Sequence, residues 1–105
     1  MGERTLDVKP GDLAVTLAQL AATIKERHTA DPQNSYTARL LSGPDDQAVK
    51  KLVEEATELA LAVKDDDHDH IRYEAADLVY HLLVVLEKFG VTLEELAGEL
   101  NARMK

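Results

Sequence analysis

Apolar residues recur along the chain at intervals of three and four, and no stretch alternates apolar and polar positions with period two. That periodicity predicts helices throughout. Leu13, Leu17, Leu20, Ala21 and Ile24 form one stripe and predict a first helix over 12–28. Asp31-Pro32 breaks the pattern within 29–34. The segment 35–41 predicts a short helix, with Ser35 as N-cap and Gly43-Pro44 as its stop. Pro44 suits the first position of a third helix, Asp45 and Asp46 complement its dipole, and the helix continues to about Lys64. The acidic stretch 65–70 is read as the connection, with Asp69 as N-cap of a fourth helix. That helix runs to Phe89 and ends on a left-handed Gly90. Thr92 and Glu95 then form a capping box, with Val91 and Leu96 as hydrophobic staple, and open a last helix to about Arg103.

A chain of 105 residues fits one domain: an N-terminal tail over 1–10 and a single all-α domain over 11–105. So small a monomer buries a modest fraction of its surface. The expected architecture is therefore antiparallel helical hairpins in a four-helix-bundle-like core, completed by a second copy in a homodimer. Cysteine is absent, which excludes disulfides and thiolate metal sites. The residues Met1 to Asp7 carry no apolar h-region, and the longest apolar run, 82–86, is too short to span a bilayer. No membrane partner is expected, and the cytoplasm is the default location. The net charge of −8 opposes binding to a nucleic-acid backbone. A nucleotide remains open, because a cation can stand between protein carboxylates and phosphate.

On the third helix Leu52, Ala56, Leu59, Ala60 and Val63 cluster into a stripe expected to face the core. Glu55 lies about 80° and Glu58 about 140° from its centre. On the fourth, Ile71, Ala75, Leu78, Leu82, Val85 and Phe89 form the stripe, and Glu74 and Asp77 take the same two offsets. A single E-x-x-E pair is usually a solvated face. Two pairs in matching phase on adjoining helices are a different case, because facing flanks would bring four carboxylates together. Like charges at 4 Å repel by about 4 kcal/mol at an effective dielectric near 20. Either some carboxylates keep a proton or a cation sits among them. Oxygen-only ligation points to a hard divalent ion, naturally Mg²⁺, with Mn²⁺ a workable substitute. Asp77, set among Ala75, Ala76, Leu78 and Val79, is costly unless paired or coordinated.

The runs Lys51-Leu52-Val53-Glu54-Glu55-Ala56-Thr57-Glu58 and Tyr73-Glu74-Ala75-Ala76-Asp77-Leu78-Val79-Tyr80-His81-Leu82-Leu83 resemble the phosphoribosyl-ATP pyrophosphohydrolases of histidine biosynthesis. These belong to the all-α, MazG-type nucleotide pyrophosphohydrolases, whose signature is EExxE followed by ExxD. Here Glu54-Glu55-x-x-Glu58 precedes Glu74-x-x-Asp77, with residues 59–73 between them. The segment Ser35-Tyr36-Thr37-Ala38-Arg39-Leu40-Leu41 is similar to one typical of the histidine branch, and the likeness covers about 17–102. The resemblance implies Mg²⁺-dependent conversion of phosphoribosyl-ATP and water to phosphoribosyl-AMP and pyrophosphate. Glu55, Glu58, Glu74 and Asp77 would be metal ligands, and Glu54 would touch a second ion or orient a water. Members also occur fused to a zinc-dependent cyclohydrolase, for which this chain has neither the length nor the cysteines, so the stand-alone enzyme is expected.

Around these acids, Lys51 is either a phosphate contact or an i,i+4 partner of Glu55. Ser35, Tyr36 and Thr37 either receive an anion at free amides or simply cap their helix. Arg39 is read as a phosphate contact or a surface residue, and His81 as a packed or second-layer histidine rather than a ligand. Asp65, Asp67 and Asp69 imitate the start of an EF-hand loop. His70 and Ala76 stand where its glycine and glutamate belong, so the run is an exposed connector with His68 and His70 facing solvent. Two other readings stay open: a related pyrophosphohydrolase acting on other nucleoside triphosphates, and a non-catalytic helical dimerisation module.

Overall fold

The computed structural model describes residues 7–104. The first residues of the 1–10 tail, and most of the segment read for an export signal, lie outside the described residues; 7–10 are non-helical. The elements are α1 (Leu13–Glu26), a 3-10 turn (Arg27–Thr29), α2 (Tyr36–Ser42), α3 (Asp45–Lys64), α4 (His68–Lys88) and α5 (Leu93–Arg103). The described residues contain no strand, so the all-α expectation holds.

Local chemistry sets the ends of these helices. The Asp12 carboxylate accepts from the amides of Ala14 (2.9 Å) and Val15 (3.3 Å) and starts α1. Ser35 Oγ accepts from Ala38 N at 3.1 Å, the N-cap expected of it. Thr92 and Glu95 exchange both bonds of the capping box that opens α5, and Gly90 takes φ 79°. Two boundaries differ from expectation. Pro44 stands one residue before α3, as its cap. The cap of α4 is Asp67, not Asp69: its Oδ1 accepts from His70 N at 3.2 Å, and Asp69 instead pairs with Arg72 at 3.1 Å. Asp66 is the cause. It adopts the left-handed conformation, φ 55°, which aspartate tolerates better than most residues. The chain therefore reverses within three residues, and α4 begins earlier.

Ile24, Leu40, Leu41, Leu83 and Val84 form the core, with Leu17, Leu20, Val79, Tyr80, Leu86 and Leu93 packed against it. α1, α2 and the C-terminal half of α4 thus share one apolar centre. α3 folds back along α4 in an antiparallel hairpin, since Asp45 approaches Lys88 at 3.7 Å while Glu55 lies beside Glu74.

The apolar stripes of that hairpin, expected to face the core, are not its most buried faces. On α3 the buried residues are Ala48, Glu55 and Ala62, seven apart; on α4 Glu74 and His81 are buried, again seven apart. This is the spacing of a helix-pair seam, in which residues repeat every seven positions. Leu52 and Leu59 are only half-buried, Ala56 and Ala60 are exposed, and Val53 and Val63 are 60% and 54% exposed. Phe89 at the end of the α4 stripe is 51% exposed. Small alanines flanking Glu55 let the two backbones approach, so the helix face that carries the carboxylates is the one that is covered.

Lys88 supports this arrangement. Its Nζ donates to the carbonyls of Leu40 (2.9 Å), Leu41 (2.8 Å) and Gly43 (2.8 Å), with its side chain 7% exposed. These are acceptors left open at the end of α2, so a lysine from α4 serves as their cap. Lys88→Ala is expected to cost about 2 kcal/mol in urea unfolding, the scale of hydrogen bonds to a charged group. Hydrogen exchange at the start of α3 should rise in the same variant, because the junction with α2 loses its anchor.

Candidate active site

The acidic pairs meet between α3 and α4. Glu55 is fully buried and Glu74 is 4% exposed. One oxygen from each of Glu55, Glu58 and Glu74 lies within 4.8 Å of the other two. Asp77 stands beside this triad, one turn along α4 from Glu74. The two glutamates expected on a flank therefore occupy the centre of the seam. Both Oε atoms of Glu55, Glu74 Oε2 and Asp77 Oδ2 are buried and lack a hydrogen-bond partner. An orphaned buried oxygen is costly for a neutral group and more so for an ion.

The charges respond accordingly. Burial pushes the Glu74 carboxyl up to about 7, with Glu58, Asp77 and Glu55 adding to the rise. Burial also raises Glu55, reinforced by Glu58 and Asp77 and opposed by Lys51. For Asp77, burial raises the carboxyl, His81 opposes it and Glu58 adds to it. All three are raised from their ordinary values because the ionised form is desolvated and crowded.

Lys51 and His70 border the cluster. Lys51 Nζ lies 3.2 Å from Glu54 and 3.4 Å from Glu55, so it bridges the buried acid and its exposed neighbour. Glu54 is otherwise turned to solvent, with Lys50 at 3.9 Å. His70 Nε2 lies 3.7 Å from Glu74 Oε1, with its side chain 28% exposed. That overturns the expectation of a solvent-facing His70. Its place one turn before Glu74 was the available signal, hidden once the 65–70 stretch was read as a connector. His68 is exposed, as expected.

The α2 residues form a second wall. The Tyr36 hydroxyl bonds His81 Nε2 at 3.0 Å, and Thr37 and Tyr80 join their hydroxyls. The Tyr36 and Tyr80 rings stack at 6.4 Å, and Tyr80 meets the His81 ring edge-on at 4.9 Å. Burial raises the Tyr36 phenol while the Lys51 ammonium opposes this, so α2 and α3 adjoin here. Ser35 is occupied as a cap. Arg39 donates to the Pro32 carbonyl at 3.0 Å and lies over the Tyr36 ring at 5.6 Å, which makes it a brace for the loop before α2. Tyr80 was not singled out from sequence, because its partner lies on another helix.

A converging set of buried carboxylates bordered by lysine, tyrosine and histidine is the setting in which the sequence comparisons fall. Residues 17–104 match the family model described as phosphoribosyl-ATP pyrophosphohydrolase. The chain belongs to that family. A phosphoribosyl-ATP pyrophosphatase of Rhizobium rhizogenes is 46% identical over 88 residues, 84% of this chain and 85% of that protein. One of Methylobacterium radiotolerans is 49% identical over 90 residues, covering 86% and 84%. A histidine biosynthesis bifunctional protein HisIE of Thermus thermophilus is 45% identical over 92 residues, 88% of this chain but 43% of that protein. Relatives of this pyrophosphohydrolase therefore occur both alone and as part of a longer chain.

The raised carboxyls set the pH dependence of the metal-free protein. A folded-state Glu74 near 7 holds its proton where the unfolded chain, near 4.5, has lost it. Its contribution is fully present below about pH 4.5 and is lost as pH rises through 7. Thermal unfolding in EDTA should show this decline, and Glu74→Gln should flatten it and add on the order of 2 kcal/mol at pH 8.

Proposed function

We propose that the chain hydrolyses phosphoribosyl-ATP to phosphoribosyl-AMP and pyrophosphate, the second step of histidine biosynthesis, with Mg²⁺ held by Glu55, Glu58, Glu74 and Asp77. The orphaned carboxylate oxygens buried between α3 and α4 carry this reading. A seam lined with acids whose buried oxygens lack hydrogen-bond partners is compensated best by a hard divalent cation. When bound, such an ion lowers the pKa of a coordinated water and offsets charge that builds on the phosphate oxygens. Mn²⁺, with the same preference for oxygen ligands, is expected to substitute.

The remaining residues act on the substrate around that centre. Lys51, already poised between Glu54 and Glu55, offers a point charge to a phosphate oxygen when the nucleotide enters. Glu54, the exposed member of the acidic run, is placed to orient a water or meet a second ion. Tyr36 and Thr37 line the substrate side of α2, while Ser35 and Arg39 hold that segment in position. The nucleotide substrate, made and consumed inside the cell, argues for a cytoplasmic location.

The exposed stripes support a homodimer. Val49, Val53 and Val63 of α3 and Phe89 at the end of α4 give an apolar surface that one copy leaves uncovered. Surfaces of this kind mark association sites. A second copy laying its own α3–α4 hairpin on them would complete a four-helix bundle.

Pyrophosphate release measured with Mg²⁺ should be strong from phosphoribosyl-ATP and weak from a panel of ordinary nucleoside triphosphates; the reverse order would reject the substrate. Glu55→Gln and Glu74→Gln should each lower kcat at least about 100-fold with helical content unchanged, the scale expected for a lost metal ligand. Sedimentation at micromolar concentration should give a dimer for the native chain and a monomer for Val53→Glu.

A further inference from the structure

Thr37 and Tyr80 meet hydroxyl to hydroxyl where α2 crosses to α4. Further along, the Lys88 ammonium takes the carbonyls of Leu40, Leu41 and Gly43, so α2 and this part of α4 run in the same direction. Lys88 and the packing of Leu40 and Leu41 into the core already fasten α2. A valine and a phenylalanine would fill the space of Thr37 and Tyr80 without half-burying two polar groups, and a neutral hydrogen bond adds little net stability. Cohesion alone is a poor reason for the pair.

Its hydrogen count supplies a better one. Each hydroxyl carries one hydrogen and can both donate and accept. Whichever of the two donates, their mutual bond uses one hydrogen and leaves the other over. Neither side chain has a further hydrogen-bond partner among the described residues. We propose that the Thr37–Tyr80 pair acts as a single hydrogen-bond donor to a phosphate oxygen of the nucleotide, which makes Tyr80 a further residue of the substrate site. Both side chains are half-buried, so the pair is not sealed from a ligand. The Tyr36 ring stacks on Tyr80, and the Lys51 ammonium is close enough to oppose the rise that burial gives the Tyr36 phenol. The spare hydrogen therefore stands in the neighbourhood of the charge offered to phosphate. Among the acceptors of a nucleotide it favours an ionised phosphate oxygen over a sugar hydroxyl or a base nitrogen, because a charged acceptor makes the stronger bond.

This inference rests on the nucleotide reading given above. Its test titrates the full chain, with Mg²⁺, against pyrophosphate, AMP and adenosine as separate probes in a calorimeter. Removing both hydroxyls with Thr37→Val and Tyr80→Phe should weaken pyrophosphate or AMP about tenfold and leave adenosine unaffected, the scale of one hydrogen bond to a charged acceptor. Each single variant keeps one hydroxyl with its own hydrogen and should lose less than the pair. Thr37→Ser in place of Thr37→Val, in the Tyr80→Phe background, should recover most of the loss, which a purely structural contact would not do. With phosphoribosyl-ATP the penalty should fall on KM and not on kcat. Unchanged binding of both phosphate probes, or an equal loss for adenosine, would overturn the proposal. Should the double variant fail to fold, the decision passes to the single variants, at least one of which must weaken a phosphate-bearing probe. If the native chain binds pyrophosphate or AMP but releases none from phosphoribosyl-ATP, the substrate reading fails while the binding series still decides the pair. If it binds neither, the proposal falls.

Discussion

Mutual repulsion among carboxylates buried in the α3–α4 seam is the constraint around which the molecule is arranged. Glu55 is enclosed completely, and Glu58, Glu74 and Asp77 crowd it from one side and from the opposite helix. A seam with that content supplies little cohesion by itself. The hairpin draws on what lies outside the acids: Ala48 and Ala62 permit close approach and Lys88 meets Asp45 at its open end, while Lys51 and His70 offset charge within their own helices and the core of Ile24, Leu40, Leu41, Leu83 and Val84 anchors α4 to α1 and α2. The division of labour is spatial. Apolar packing with α1 and α2 fixes the C-terminal half of α4, and its N-terminal half is left to bear charge.

Much of the fold was legible because its signals are local. Ser35, Gly90 and the Thr92–Glu95 box act within one turn of themselves: Ser35 and the box start their helices and Gly90 follows the end of α4, each where the residue type demands. The left-handed Asp66 was not legible, since aspartate takes that conformation only sometimes, and the expected cap of α4 therefore fell at Asp69 where the structure has Asp67. The apolar stripes were identified as stripes, but within one copy much of the α3 stripe stays exposed. Amphipathicity tells which face is oily. It does not tell whether that face meets the same chain or another surface, and here the intrachain seam follows the seven-residue series 48, 55 and 62 instead.

The acid cluster was legible for a physical reason as well as by likeness. Asp77 among small apolar neighbours and two acidic pairs in equal phase are improbable on a solvated face, and the structure brings Glu55, Glu58 and Glu74 to one point. What surrounds them was harder to foresee. Tyr80 and Lys88 find their partners more than forty residues away in sequence, and no spacing rule reaches that far. His70 was obscured by an acidic neighbourhood that looked like a surface loop. Arg39, expected at a phosphate or on the bare surface, holds the Pro32 carbonyl and covers a tyrosine face.

The ammonium of Lys88 gathers three oxygens, and all three belong to the main chain. The clamp is therefore blind to which side chains stand at 40, 41 and 43, provided the backbone keeps its path. Positions 40 and 41 can change under their own packing demands without disturbing the bond, whereas Gly43 must stay small, because an added Cβ would stand 2.8 Å from the Arg39 carbonyl oxygen. A search for covarying residue pairs would pass over these bonds, since a lysine bound to peptide oxygens leaves no compensating side-chain exchange to detect.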